Sequence, residues 1–173
     1  MAGVTWDESA IQEAIGTALH TLSDVQVVWG EQALTMARPR LVLSWVSDTP
    51  DSPRAELRPS DDGTDGDWDA IDQMRSVLQL SFYTDATQGS TGAMALARKL
   101  RSKLATSSGR AAIATSGFVV VDRTGVRNAS ALVDPRIEGR AIFEITLAYA
   151  TATTENLSWV DSVETEDHLT YEE

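Results

Sequence analysis

Hydrophobic and polar positions alternate most regularly in two stretches of the chain. In 75–83, Leu78, Leu80 and Phe82 share one face, while Arg75, Gln79 and Ser81 share the other with Val77 among them. In 138–149, Ala141, Phe143, Ile145, Leu147 and Tyr149 face one way, and Arg140, Glu144 and Thr146 the other. A period of two predicts strands with one face on a core and one half-exposed. After the first of these strands, 85–90 is rich in turn-forming residues. The period then becomes helical: Ala93, Leu96, Ala97, Leu100 and Leu104 form one stripe, with Arg98, Arg101 and Lys103 off it. A strand therefore feeds a helix that must pack back onto the same sheet.

The remaining segments fit around this unit. Thr5 and Glu8 are spaced as a capping box, and Ile11, Ala14, Ile15, Ala18, Leu19 and Leu22 follow at helical spacing, so a first helix is expected over 7–22. Short strands are expected at 25–29 and 40–46, the latter apolar on both faces and so central or in contact with another subunit. Residues 47–69, with three prolines, two glycines and many aspartates, read as a long loop. Residues 106–109 should close the second helix and 110–115 add a helical turn. A strand follows at 117–123, then a connector over 124–135 with Val126 and Leu132 as anchors. Residues 157–163 predict a short extra strand. The fold class is α+β: a single domain with a mainly antiparallel or mixed sheet flanked by two main helices. Its expected extent is 1–154, including an acidic loop at 47–70, with 155–173 as an acidic extension.

Composition changes this picture in one respect. The formal charge of −12 is concentrated. Residues 48–72 carry eight Asp and one Glu against Arg54 and Arg58, and 155–173 carry seven acids with no Lys or Arg. Everything else is nearly neutral, which argues against nucleic-acid affinity of the whole body. With no cysteine, disulfides and thiolate metal sites are excluded. Neither a signal peptide nor an apolar run of membrane-spanning length is expected.

Candidate chemistry is sparse. Asp61 to Asp67 suggests calcium, but Gly63 stands at the third position and no glutamate at the twelfth, so the EF-hand template fails. Gly89-Ser90-Thr91-Gly92 lacks the spacing and lysine of a phosphate loop. His20 and His168 have no nucleophile-elbow serine to serve. Asp122 and Glu144 sit on strands, Glu144 alternating with Arg140 and Thr146 as on an ordinary wet sheet face. No enzyme is expected, and no cofactor or metal. The basic run Arg98, Arg101 and Lys103 suggests a subunit contact for an acidic segment, and Trp159 an anchor for the C-terminal segment.

The order of elements resembles the tail-terminator, or neck, proteins of long-tailed bacteriophages. The resemblance covers about 8–150 and rests on patterns: Trp29 in an early strand, the alternating strand at 77–83, the Ala93–Leu104 helix, and the late Arg140-Ala141 to Tyr149 strand. It implies a virion protein, assembled in the host cytoplasm. Six copies would form a ring capping the tail tube, ending its polymerisation and meeting the head–tail connector. DNA would pass through the lumen without specific binding, and no membrane would be involved. Another neck or tail-tube component, or a metal-binding or adhesive module built on the Asp-rich segment, are the competing expectations.

Overall fold

The computed structural model describes residues 8–30, 37–51, 56–59, 67–85, 91–133 and 136–156. Among these residues, three helices, α1 (Glu8–Ser23), α2 (Ala93–Lys103) and α3 (Ser107–Ala114), accompany eight strands. These are β1 (Gln26–Trp29), β2 (Arg40–Pro50), β3 (Glu56–Pro59), β4 (Asp67–Thr84), β5 (Val119–Arg123), β6 (Arg127–Asn128), β7 (Ala131–Val133) and β8 (Arg136–Asn156). The sheet runs in the order β1-β2-β4-β8-β5, with β3 on β4, and β6 and β7 on β8. Among the described strands only β1–β2 is parallel, so the sheet is mixed and the α+β reading holds.

The apolar faces seen in the sequence meet as expected. Leu41, Leu43, Leu78, Leu80, Phe82, Ala141, Phe143, Ile145 and Leu147 are all fully buried. In register, Leu43 faces Leu80 and Leu80 faces Phe143, giving cross-strand rows that one layer of helices covers. That layer contributes Ile11, Ile15, Ala18 and Leu19 from α1, Ala93, Ala97 and Leu100 from α2, and Ile113 from α3. Trp29 turns its ring toward the helices. Its Nε1 donates to the Gln12 carbonyl at 3.0 Å, and its ring lies 5.5 Å from that of Trp45.

Three expectations need correction. Residues 106–109 do not merely close α2, because they begin a third helix. Thr106 caps it, accepting from the Gly109 amide at 3.1 Å while donating to the Lys103 carbonyl at 2.6 Å. A Cβ at Gly109 would collide with that same Lys103 carbonyl, so the tight α2–α3 corner depends on glycine. The connector at 124–135 contains β6 and β7, both paired to β8.

The largest correction concerns 47–69, expected to be a long loop. β2 continues to Pro50, β3 occupies part of the stretch, and β4 begins at Asp67. Asp, Pro and Gly lower strand propensity, but pairing to a long neighbour overrides it. Here β8 supplies an unbroken ladder from Gly139 opposite Thr84 to Asn156 opposite Asp67. β8 also passes the expected domain boundary at 154. Residues 61–66 and 157–163, and with them Trp159, lie outside the described residues.

Candidate assembly surfaces

The helices cover only one face of the sheet and only part of its length. On the other face the side chains at alternate positions, Ser44, Val77, Gln79, Ile142, Glu144 and Thr146, are half-buried, with no helix above them among the described residues. At one end of this face Val28 and Val42 are buried against Tyr83. Register places Arg40, Tyr83 and Arg140 side by side on three strands, and both guanidiniums lie over the tyrosine ring, at 5.2 and 4.9 Å from its centre. Nearby, Arg38 bridges Asp85 at 3.0 Å and Glu138 at 2.7 Å, tying the start of β2 to the start of β8.

Toward the other end the strands outrun their cover. β2 is buried over 40–43 and exposed from Val46 onward. None of residues 70–75 in β4, or of 148–151 in β8, is buried. Beyond that line β3, β4 and β8 continue as a three-stranded arm, with no helix layer over it among the described residues. At about 3.3 Å per residue, the nine residues of β8 from Ala148 to Asn156 extend about 30 Å. Three large apolar side chains stand exposed around its root: Val46 at 56%, Val119 at 61% and Val121 at 49%. Val46 and Val121 sit at register shifts in β2 and β5, where a bulge re-aims the side chain.

A polar clasp marks the line where the cover ends. The Tyr149 hydroxyl donates to both Asp48 carboxylate oxygens at 2.8 Å, and Ser76 Oγ donates to Asp48 Oδ1 at 2.6 Å. Burial pushes the Tyr149 phenol well above its ordinary range; the Ser76 hydrogen bond opposes this, and the hydrogen bond to Asp48 and its charge add to it. The Tyr149 ring also rests 5.0 Å from that of Phe118.

The basic residues singled out in the sequence take different partners. Lys103 Nζ donates to the Leu22 carbonyl at 2.7 Å, at the end of α1, and lies 3.5 Å from Asp24. Lys99 reaches the same carboxylate at 3.4 Å. Lys103 first and Lys99 after it hold the Asp24 carboxyl below its ordinary value. Arg101 Nε donates to the Thr124 carbonyl at 2.7 Å, locking α2 to the turn after β5. Arg101 and Lys103 thus spend their charge within the subunit. Arg98 is exposed and makes no hydrogen bond or ion pair among the described residues. With Arg101, Ser102, Gly125 and Val126 it lines a shallow groove of about 260 Å³. His20 Nδ1 donates to the Val25 carbonyl at 2.7 Å, as a residue at the edge of the helix stripe should. No cluster of metal-ligating side chains occurs among the described residues. The arm was not legible beforehand, although one signal was present: β-branched Thr151, Thr153 and Thr154 follow the last large apolar residue of β8.

Among the described residues, this α+β domain thus combines long paired strands, a half-covered sheet and exposed valines at the arm's root. The family whose sequence model matches is the phage neck terminator protein family, over residues 8–171, and the chain belongs to it. Among solved structures, the chain is similar to the sheath/tube terminator of an extracellular contractile injection system, seen by cryo-EM in its extended state. The TM-score is 0.49 at 11% identity, covering 97% of this chain and 65% of that one. The chain therefore spans 65% of that protein's length. No curated protein matches.

Proposed function

We propose that six copies close into a ring on the end of the tail tube, stop its growth and present a surface to the head–tail connector. DNA passes through the ring without being read. The observation that carries this reading is the family match across 8–171, nearly the whole chain. The uncovered sheet face and the arm supply contact surface, and the near-neutral body outside 48–72 and 155–173 lacks the basic footprint of a nucleic-acid reader.

Mass measurement on the purified chain, alone and with its tube protein, tests the proposal. Six chains of 18.7 kDa give a closed species of about 112 kDa that binds tube ends. Tubes that lengthen with added protein, or an open-ended series of oligomers, would replace this reading with that of a tube-like subunit.

A further inference from the structure

We propose that neighbouring copies join through the arm by strand pairing. The free edge of β8 in one copy, residues 150–156, takes the free edge of β3 (Glu56–Pro59) in the next, side by side and parallel. The proposal deepens the ring reading and rests on it.

The arm has two edges, and both are open among the described residues. β5 pairs β8 only as far as Ala148, and β3 pairs only β4. Backbone direction along β8 follows from its other partners. Arg140 and Glu144 turn their carbonyls away from β4 to accept from the Ala129 and Thr124 amides, both at 2.9 Å. Their own amides donate to Ser130 Oγ at 3.1 Å and Thr124 Oγ1 at 2.8 Å. The β4–β8 register has no shift, so the alternation carries through, and Ala150, Ala152 and Thr154 present amide and carbonyl to the open side.

That edge, Ala-Thr-Ala-Thr-Thr-Glu-Asn, has one charge and neither lysine nor proline, so it lacks the usual guards against pairing with another chain. A three-stranded ribbon without a helix layer also buries little by itself.

The occupant follows from strand direction. β3 and β8 each run antiparallel to β4, so they point the same way. Rotation about an axis along the strands preserves direction, so β8 of one copy meets β3 of the next in parallel. Each copy supplies the edge its neighbour lacks, a head-to-tail contact that closes by rotation. Pairing of β8 with a second β8 would instead be two-fold and stop at a dimer.

Two variants of the full chain test this. Ala152→Pro removes one outward amide and leaves the ladder to β4 intact. It should keep its circular dichroism spectrum and melting temperature but lose the assembled mass by light scattering at concentrations where the parent is assembled. The absence of native cysteine makes the second variant clean. Arg58 and Thr154 share a row through Asp69, one strand apart on either side. That places them about 9.6 Å apart within a copy, too far for a disulfide. Oxidised Arg58→Cys/Thr154→Cys should give a covalent ladder up to the ring, and Thr154→Cys alone should give monomer. Full assembly of the proline variant, dimers from the single cysteine, or an assembled double-cysteine chain that stays uncrosslinked overturns the proposal. If the parent itself forms no closed ring, the functional reading fails instead.

Discussion

Strands β2, β4 and β8 each run through two environments, and the contrast separates what folds the subunit from what it offers outward. In the covered half they carry Leu43, Leu80 and Phe143 in one row beneath the helices. In the arm β4 and β8 carry Gln73, Ala150 and Thr151, side chains that are exposed or half-exposed. Backbone pairing is equally regular in both halves; only the packing differs. Hydrogen-bonded strands contribute little net stability without burial, so the free energy of folding belongs to the covered half.

Paired substitutions on β8 give the largest expected effect. Phe143→Ala should cost about 3–5 kcal/mol by urea unfolding, through lost transfer energy and the cavity left behind. Thr151→Ala, eight positions along the same strand, should stay within about 0.5 kcal/mol. Equal costs at the two positions would mean that the arm has its own core, and the contrast would collapse. Next in size is Gly109→Ala. The added methyl meets the Lys103 carbonyl, so α2 and α3 must move apart, at about 1–3 kcal/mol. Since α2 and α3 belong only to the covered half, hydrogen exchange should rise in both helices and leave the arm amides unchanged.

The seam between the halves gives a smaller, pH-dependent effect. Tyr149→Phe removes the hydroxyl that donates to Asp48 and should cost about 1–2 kcal/mol at neutral pH. The phenol is raised above its ordinary 10.0 in the folded chain. Its contribution is therefore fully present below pH 10 and is lost as pH rises beyond it. Tyr149→Phe should flatten the fall in melting temperature above pH 10. A parallel fall in both proteins would show that the clasp does not hold the seam.

How much of this was legible in the sequence follows the same division. Where the strands are covered, burial imposes a strict alternation on side chains, and Leu78 to Phe82 and Ala141 to Leu147 could be assigned face by face. The helix stripes were equally plain, because they answer to the same core. The arm obeys no such rule. Asp67, Asp69 and Asp72 are strand residues only because β8 lies opposite, and that pairing joins positions 79 to 89 residues apart. Helix α3 was half-seen, since Thr106 serves both the end of α2 and the start of α3. The basic run looked like one patch; spacing could not show that Arg101 would be taken up by the Thr124 carbonyl and Lys103 by the end of α1. The resemblance drawn from strand and helix order proved right about the family.

The smallest effect expected is at Asp24, and it tests whether charge has any large part in holding the helix cover. Asp24 ends α1 with φ of 59°, its amide donating to the His20 carbonyl at 3.0 Å. Asparagine tolerates that left-handed backbone, so Asp24→Asn removes the charge and little else. Because the carboxyl is depressed by Lys103 and then Lys99, its contribution is present above the unfolded value of 3.8 and disappears as pH falls below it. The group is fully exposed, so salt should screen most of the attraction. Melting at pH 7 in low salt should show a drop smaller than for any substitution above, shrinking further in about 1 M salt, where the screening length is about 3 Å. Below pH 3 the parent and variant should melt together. A drop rivalling that of Phe143→Ala, or one untouched by salt, would mean that α1 and α2 are held by this ion cluster, and the covered half would owe its stability to something other than the apolar rows beneath it.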